Sequence, residues 1–406
     1  MPAGEPGDPL ARLLAGRYPD PDGGAPLAAA ARAIVIADRL DGDEAALVAG
    51  LGLGRRLAVV ADVDTAAALG DRVARALAGR FTVARIVLGR APEADVATVD
   101  QLDRAVPAGC DAVVAVGSGT INDLCKVLAH RRGCPQVVFA TAPSMNGYTS
   151  LSASIRDGGI KRSLRTATPI GAFFDLGVLA AAPRRLIRAG LGDSVCRPTA
   201  QVDWLLAHRV RDAPYRAAPF ALLAADEAAL LAGAAGLVRG DLAALRHLVR
   251  TLVLSGFGMT LCGGSYPASQ GEHLLGHYVD AMGGDDLPCT FHGEQVGVCA
   301  LAMARLQGAV LAAPAPPRLA ASRITRADVL AHFGPERGPA CWAELAPKLL
   351  SQDAADALNA RLAAGWDALR AELSAVALGV DRMSAALTAA GAPTTAAALG
   401  WPPALL

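Results

Sequence analysis

The stretch DAVVAVGSGTIND, residues Asp111–Asp123, decides how the first half of this chain is expected to fold. Its opening run, Asp111–Val116, is rich in valine, as a buried β-strand is. Two glycines around one serine follow at once, and a helical stretch comes next. A strand that passes through a glycine turn into a helix is the repeating unit of a parallel sheet covered by helices.

Other runs in the first half have the same character and alternate with helical stretches such as Ala66–Leu77. Strands that alternate with helices form a parallel, doubly wound sheet. The further predicted strands are Arg56–Ala61, Val83–Leu88, Gln136–Ala140 and Pro169–Asp175.

The pattern of residue types along the chain changes near Val178. Later segments, including Ala217–Leu237 and Ala355–Leu373, are rich in Ala and Leu with charges at helical spacing, and strand-like alternation ends. We therefore predict an α/β plus all-α chain, with an α/β domain over residues 1–177 and a helical domain over residues 178–406.

Composition limits the classes of partner. Among 406 residues, 38 are Lys or Arg and 38 are Asp or Glu, so the formal net charge is zero. This balance gives no basic footprint for nucleic acid or an anionic membrane, and any anion must be held by a local pocket. The eight cysteines form no CxxC pair, which favours reduced core cysteines.

The chain is expected to be a soluble cytoplasmic protein that binds a small-molecule substrate. It could also assemble into a homo-oligomer. Met1–Gly24 has no apolar core of the kind found in signal peptides. The uncharged run Thr251–Gly271 approaches membrane-span length, but its glycines and Pro267 favour a buried helix that ends in a loop.

The turn Gly117-Ser118-Gly119-Thr120-Ile121 could hold a pyrophosphate. Glycines let a backbone approach phosphate closely, and the following helix would supply free amides and a positive dipole end. The spacing is not GxGxxG, and an ordinary strand–helix turn has the same pattern.

Two further features are consistent with a dinucleotide. Asp62 follows the strand Arg56–Ala61, where a carboxylate could bind an adenine ribose and disfavour NADP relative to NAD. Asp62 could equally cap a helix. The loop from Thr141 to Ser150 is rich in small polar residues at the carboxyl end of a strand, where such sheets bind ligands, although a solvated loop has the same composition.

The second half contains a group of residues typical of metal ligands. His273 and His277 are four residues apart and would share one helix face, while His292 stands at the expected start of the next helix. Asp193 lies between glycine-rich neighbours in GLGDS. Two imidazoles and one carboxylate would leave a coordination position open, as catalytic sites do, whereas each histidine alone could simply cap a helix or bond within the core.

The motifs GSGTINDLCK, TAPSMNGYTS, AGLGDSV, EHLLGHYVD and FHGEQVGV, in this order, resemble sn-glycerol-1-phosphate dehydrogenases. This family belongs to the dehydroquinate synthase/iron-containing alcohol dehydrogenase superfamily. The resemblance spans roughly residues 30–310 and implies an N-terminal Rossmann-like domain, a C-terminal helical domain and a site in the cleft between them. It also implies metal-dependent interconversion of sn-glycerol 1-phosphate and dihydroxyacetone phosphate with NAD or NADP.

The resemblance assigns roles to particular positions. It makes Asp193, His273 and His292 the ligands of one divalent ion, zinc or nickel. It assigns the pyrophosphate to Gly117–Ile121. It places Asn146, Asp193 and His277 at the substrate, with His277 as the candidate proton relay. The residues that it assigns to the nicotinamide half of the cofactor are Thr141, Ser144 and Ser150.

Some points stay open in the sequence. Another polyol dehydrogenase or a sugar-phosphate cyclase could use the same scaffold. Candidates for the substrate phosphate are Lys161, Arg162 and Arg165, which could equally belong to a solvated hairpin. Arg197 stands where the family pattern suggests lysine, and the chain ends at Leu406, earlier than relatives are expected to end.

Overall fold

The computed structural model describes residues 7–157, 160–283, 287–402 and 405, without the side chains of residues 160 and 161. The strands are β1 (Ala33–Ala37), β2 (Arg56–Asp62), β3 (Thr82–Leu88), β4 (Ala112–Gly117), β5 (Gln136–Ala140), β6 (Ser152–Asp157), β7 (Ile160–Arg165) and β8 (Gly171–Asp175). The α-helices of the first part are α1 (Pro9–Leu14), α2 (Glu44–Gly50), α3 (Val63–Thr65), α4 (Asp71–Ala78), α5 (Val96–Ala105) and α6 (Gly119–Arg132).

Every described element after β8 is helical. These helices are α7 (Leu176–Ala180), α8 (Arg184–Val195), α9 (Arg197–Arg211), α10 (Ala218–Arg239), α11 (Leu242–Leu261), α12 (Gly271–Met282), α13 (His292–Ala312), α14 (Arg326–Leu345), α15 (Gln352–Val376) and α16 (Val380–Ala389). A π-helical turn covers Ala66–Gly70, and short 3₁₀ helices cover Asn146–Thr149, Ala346–Lys348 and Ala397–Leu399.

Six strands form one parallel sheet in the order β1-β8-β5-β4-β2-β3. Helices cover both faces, which is why Val59 and Val60 of β2, pointing to opposite faces, are both buried. The α/β plus all-α fold class is thus confirmed. The carboxyl ends of β2, β4, β5 and β8 meet at one edge of the sheet, where open α/β sheets bind ligands.

The predicted strands are confirmed, but three further strands were not predicted. β1 lies at the edge of the sheet, and β6 pairs with β7 as a separate antiparallel hairpin. The division between residues 177 and 178 falls inside α7, just after the last strand, and stays a prediction.

The candidate membrane run is the end of α11, a buried helix, and the loop after it. Two other helices, α10 and α13, are long and apolar enough to cross a membrane by length and composition alone. Both pack within the helical half, α10 against α11 and α13 against α8, as core helices of a folded domain do.

All eight cysteines are free thiols. Cys125, Cys196 and Cys299 are buried, as expected of core cysteines. The expectation of a core position is wrong for Cys289, which is exposed.

Candidate active site

The glycine turn joins β4 to α6. Gly117 ends the strand, Ser118 has an extended backbone, and the helix begins at Gly119. A Cβ atom at Gly117 would lie 2.5 Å from Cβ of Ile121, so only glycine lets the helix start this close to the strand. The Ser118 side chain does not cap α6, which leaves amides of the first turn available to a ligand. Ile121 is buried and lines neither the cavity nor the adjoining cleft that are described below.

A buried lysine, Lys126, holds the neighbouring loop against α6. Its Nζ donates to the carbonyl oxygens of Gly147 (2.6 Å), Ser150 (2.9 Å) and Ser152 (3.0 Å). Burial lowers the pKa of Lys126 to about 8, while the carboxylate of Asp123 opposes this shift. Sequence reasoning missed this residue, although a lysine between Cys125 and Val127 on an apolar helix was a signal.

The loop after β5 lies next to the glycine turn. The Thr141 amide donates to the Gly117 carbonyl oxygen at 3.1 Å, which fixes the start of the loop. Ser144 and Ser150 line the cavity described below, whereas Thr141 lines the adjoining cleft. The Ser150 hydroxyl is 3.0 Å from the Ser152 carbonyl oxygen and 3.2 Å from the Lys126 ammonium, so it already has local partners.

Three predicted metal ligands converge from three helices. Asp193 lies on α8, His273 on α12, and His292 is the first residue of α13. One ligand atom from each side chain lies within 4.8 Å of the others. Two imidazole nitrogens and one carboxylate oxygen are donors that zinc, nickel or ferrous iron accepts, so the set fits one divalent cation with room for substrate.

A second group, Cys196, Glu272 and His273, satisfies the same distance criterion. Cys196 faces the carbonyl oxygens of Asp193 and Ala268, and burial raises its thiol pKa well above the usual value. Neither Cys196 nor Glu272 lines the cavity. A substrate could not reach a metal held by this group, and we therefore favour the aspartate and the two histidines as the catalytic donors.

His277 lies one turn after His273 and outside the donor group. Its ring centroid is 6.2 Å from that of His273 and 6.3 Å from that of His292. Its side chain lines the same cavity. This position allows contact with a substrate that is bound between the metal donors and the glycine turn.

Close helix packing sets the positions of two donors. A Cβ atom at Gly192 would lie 2.0 Å from the Gly293 carbonyl oxygen, and one at Gly293 would lie 1.9 Å from the Ala189 carbonyl oxygen. The helices α8 and α13 therefore cross at glycines that directly neighbour Asp193 and His292.

Asp193 also contacts the sheet domain. The backbone amide of Asn146 donates to Asp193 Oδ2 at 2.7 Å, and the Asn146 side chain reaches Ser255 of α11 at 3.4 Å. The loop that borders the glycine turn is thus hydrogen-bonded to a predicted metal ligand.

One cavity of about 410 Å³ is lined by the glycine turn, the loop after β5 and the three predicted metal ligands. An adjoining cleft of about 870 Å³ shares Ser118, Leu186 and Phe291 with it. The residues that line the cavity include Ser118, Gly119, Thr120, Ser144, Asn146, Ser150, Asp193, His273, His277 and His292.

Asp62 lines the adjoining cleft, at the carboxyl end of β2. Its carboxylate accepts the Thr65 amide at 2.8 Å, and the Thr65 hydroxyl accepts the Asp62 amide at 2.9 Å. Asp62 is therefore a helix cap, the alternative that the sequence left open, and it also lines the adjoining cleft.

The basic candidates for a phosphate lie on the β6–β7 hairpin. Arg162 lines the cavity, with its Nε 3.9 Å from the Asp157 carboxylate. Arg165 is exposed and is the strand partner of Ser152. The side chain of Lys161 lies outside the described residues.

Arg197 does not line the cavity. It is buried and forms an ion pair with Glu227, with its guanidinium 5.1 Å from the ring centroid of Phe220. Its role is to join α9 to α10, which explains an arginine at this position without a ligand.

A glycine turn at a parallel sheet edge, facing a helical domain with a carboxylate and two imidazoles, defines the class of metal- and dinucleotide-dependent dehydrogenases. The family of iron-containing alcohol dehydrogenases matches residues 35–183. The fold is similar to glycerol dehydrogenase from Schizosaccharomyces pombe, with TM-score 0.58, 18% identity, and coverage of 86% of this chain and 91% of that one.

The sequence is 31% identical over 284 residues to the glycerol-1-phosphate dehydrogenase [NAD(P)+] of Thermococcus kodakarensis, covering 68% of this chain and 78% of that protein. It is 35% identical over 240 residues to the enzyme of the same name from Pyrococcus furiosus, covering 59% and 68%. The chain belongs to the glycerol-1-phosphate dehydrogenase family.

Proposed function

We propose that this chain interconverts dihydroxyacetone phosphate and sn-glycerol 1-phosphate. In the reductive direction, NAD(P)H gives a hydride to the carbonyl carbon of dihydroxyacetone phosphate, and a proton adds to the carbonyl oxygen. The products are sn-glycerol 1-phosphate and NAD(P)+. The supporting observation is the single cavity that the glycine turn, the loop after β5 and the three metal donors all line.

The three metal donors would bind a cation, and a hydrogen bond from the cofactor loop orients one of them. Asp193, His273 and His292 would hold one zinc or nickel ion. When bound, such a cation supplies a Lewis acid that stabilises negative charge on the substrate oxygen. The Asn146 amide, by bonding Asp193 Oδ2, orients this ligand relative to the cofactor loop.

The sheet domain would position the cofactor. The first-turn amides of α6 would face the pyrophosphate, and Asp62 would face the adenine ribose in the adjoining cleft. Ser144 and Ser150 would border the nicotinamide half from the cavity and Thr141 from the adjoining cleft, with Lys126 holding their loop in place.

His277 would exchange the proton or orient the substrate hydroxyl from the cavity wall. The substrate phosphate needs a cation, because the net charge of the chain gives no general attraction. Arg162 would supply this cation, because it lies on the β6–β7 hairpin and lines the same cavity as the glycine turn.

The same proposal places the chain in the cytoplasm as a soluble enzyme with a cofactor domain over residues 1–177 and a metal domain over residues 178–406. Assembly into a homo-oligomer stays a prediction.

A spectrophotometric assay tests the function. The purified chain, loaded with zinc or nickel, should oxidise NADH or NADPH when dihydroxyacetone phosphate is added, and the product should be the sn-1 enantiomer. Unphosphorylated dihydroxyacetone should be a poorer substrate. No net cofactor oxidation would indicate a cyclase, and preference for the unphosphorylated ketone would indicate another polyol dehydrogenase.

The variant H273A links activity to the site. It should lose both bound metal and turnover, because one of three donors is gone. A metal-free H273A protein with full activity would contradict the proposal.

A further inference from the structure

Glu272 is a fully buried carboxylate directly beside a predicted metal ligand. Its Oε1 lies 2.9 Å from Nδ1 of His273 and accepts the backbone amide of Gln270 at 2.9 Å. Its Oε2 lies 3.4 Å from the Thr199 hydroxyl. The side chain is thus held by α9 and by the start of α12.

This contact decides which nitrogen of His273 faces the donor group. A carboxylate oxygen accepts hydrogen bonds, so the tautomer of His273 that forms this contact carries its proton on Nδ1. The lone pair is then on Nε2, the nitrogen available to bind a metal. A carboxylate behind a ligating imidazole also raises the basicity of that ligand.

Among the described residues, Glu272 forms no ion pair with a lysine or an arginine. Within the described parts of the chain, its ion-pair partner is His273 alone. Burying a carboxylate is strongly unfavourable unless a counter-charge compensates it. Asp193 adds a second buried carboxylate close by.

The same chain contains an instructive contrast. Asp226 is also buried and lies 2.9 Å from Nδ1 of His247, but Arg250 contacts the same carboxylate at 2.9 Å. That histidine–carboxylate pair has its counter-charge built into the protein. For the Glu272–His273 pair, the part of the chain that the structure describes supplies no such lysine or arginine, and the pair lies against a donor group that fits a divalent cation.

We propose that Glu272 is a positioning residue of the metal centre. It fixes the Nδ1–H form of His273 and, with Asp193, provides two negative charges that neutralise one divalent cation. This inference rests on the proposed function, because it requires that His273 bind a metal.

The variants E272Q and E272A, with D226N as the matched control, test this inference on the full chain. The readouts are Co²⁺ affinity by competition with a chelator, the visible spectrum of the Co²⁺-loaded protein, and the rise in unfolding temperature that Co²⁺ causes. Because glutamine can still accept from Nδ1–H, E272Q separates the effect of charge from that of orientation.

E272Q should bind Co²⁺ about 10- to 100-fold more weakly than the unchanged protein, the usual range for loss of such a partner. E272A should bind still more weakly and alter the Co²⁺ spectrum, since the imidazole loses its fixed orientation. D226N should keep the original affinity and spectrum even if its unfolding temperature falls.

Unchanged Co²⁺ affinity in both Glu272 variants would overturn the inference, and so would an equal loss in D226N. The variant H273A tells this failure apart from failure of the function itself. If H273A loses Co²⁺ while the Glu272 variants keep it, the role of Glu272 is wrong and the metal site stands. If H273A also keeps Co²⁺, the metal site is wrong.

Discussion

Gly192 of α8 and Gly293 of α13 lie in direct backbone contact, so that a Cβ atom on Gly192 would be 2.0 Å from the Gly293 carbonyl oxygen. Each glycine is the sequence neighbour of a predicted metal ligand, Asp193 or His292. The distance between the two backbone segments that carry these donors is therefore set by main-chain packing, and side-chain rotation cannot change it.

We predict that G293A separates the two helices and weakens the metal site. Its new methyl group would meet the Ala189 carbonyl oxygen at 1.9 Å, and such overpacking usually costs about 1–3 kcal/mol. Co²⁺ affinity and the free energy of unfolding should both fall. The control is G308A on the same helix, where a Cβ atom meets nothing within 4 Å. A G293A protein with unchanged affinity would show that the crossing does not set the donor distance.

Replacement of His277 by glutamine tests its role in proton exchange. Because His277 lies outside the donor group, H277Q should keep its metal. Loss of a general acid–base group lowers the turnover number by about 100-fold or more, and the pH profile of turnover should lose one limb. A fall in the affinity for substrate alone, with turnover preserved, would assign His277 to orientation instead.

The variant K126M tests how the cofactor loop is held. It removes the ammonium that bonds three loop carbonyl oxygens, and each buried acceptor left without a partner costs about 1–3 kcal/mol. The KM for NAD(P)H should rise and the protein should unfold more easily, while Co²⁺ affinity changes little. The exposed Lys348 provides the control K348M. Equal KM values for K126M and K348M would contradict this role.

Asp62 has a structural and a proposed binding role, which the variant D62A can separate. Loss of the cap should cost about 1 kcal/mol of stability, and loss of the charge should lower the preference for NADH over NADPH. D241A removes a comparable cap from α11, where the carboxylate accepts the Ala243 amide at 2.8 Å. It should share the stability loss but keep the cofactor preference. A D62A protein with unaltered preference would leave Asp62 as a cap only.

Asp175 gives the protein a defined acid sensitivity. Burial raises the pKa of Asp175, but Arg72 and the amides of Leu40 and Val178 outweigh burial, so the pKa lies below its usual 3.8. A lowered carboxyl pKa contributes stability above the unfolded value and loses it as pH falls through the folded one. D175N should be less stable than the unchanged protein at neutral pH. The difference in unfolding free energy should shrink as the pH falls below about 4, and a constant difference would contradict this account.

Local pattern was enough to predict much of the fold. β2, β4 and β5 are apolar runs bounded by turns, and His273 and His292 stand where helical spacing places them. β1 was missed because Ala33–Ala37 follows an alanine-rich stretch with a strong helix propensity, and only its pairing with the distant β8 makes it a strand.

The supporting parts of the site could not be predicted because they depend on contacts between distant segments. The glycines at the α8–α13 crossing resemble ordinary helix glycines until the partner helix is known. Glu272 could have been a solvated charge, and only tertiary packing shows it buried behind His273. The roles of the individual site residues stay predictions.

The hydrogen bond from the Asn146 amide to Asp193 joins the two ligand-binding halves of the molecule. Any shift of the loop that accompanies the dinucleotide must change how Asp193 presents its oxygens to the ion. Such coupling is reciprocal by thermodynamic necessity. Removing the ion should therefore change dinucleotide affinity by the same factor by which removing the dinucleotide changes affinity for the ion. Neither dissociation constant has a single value unless the presence of the other ligand is stated.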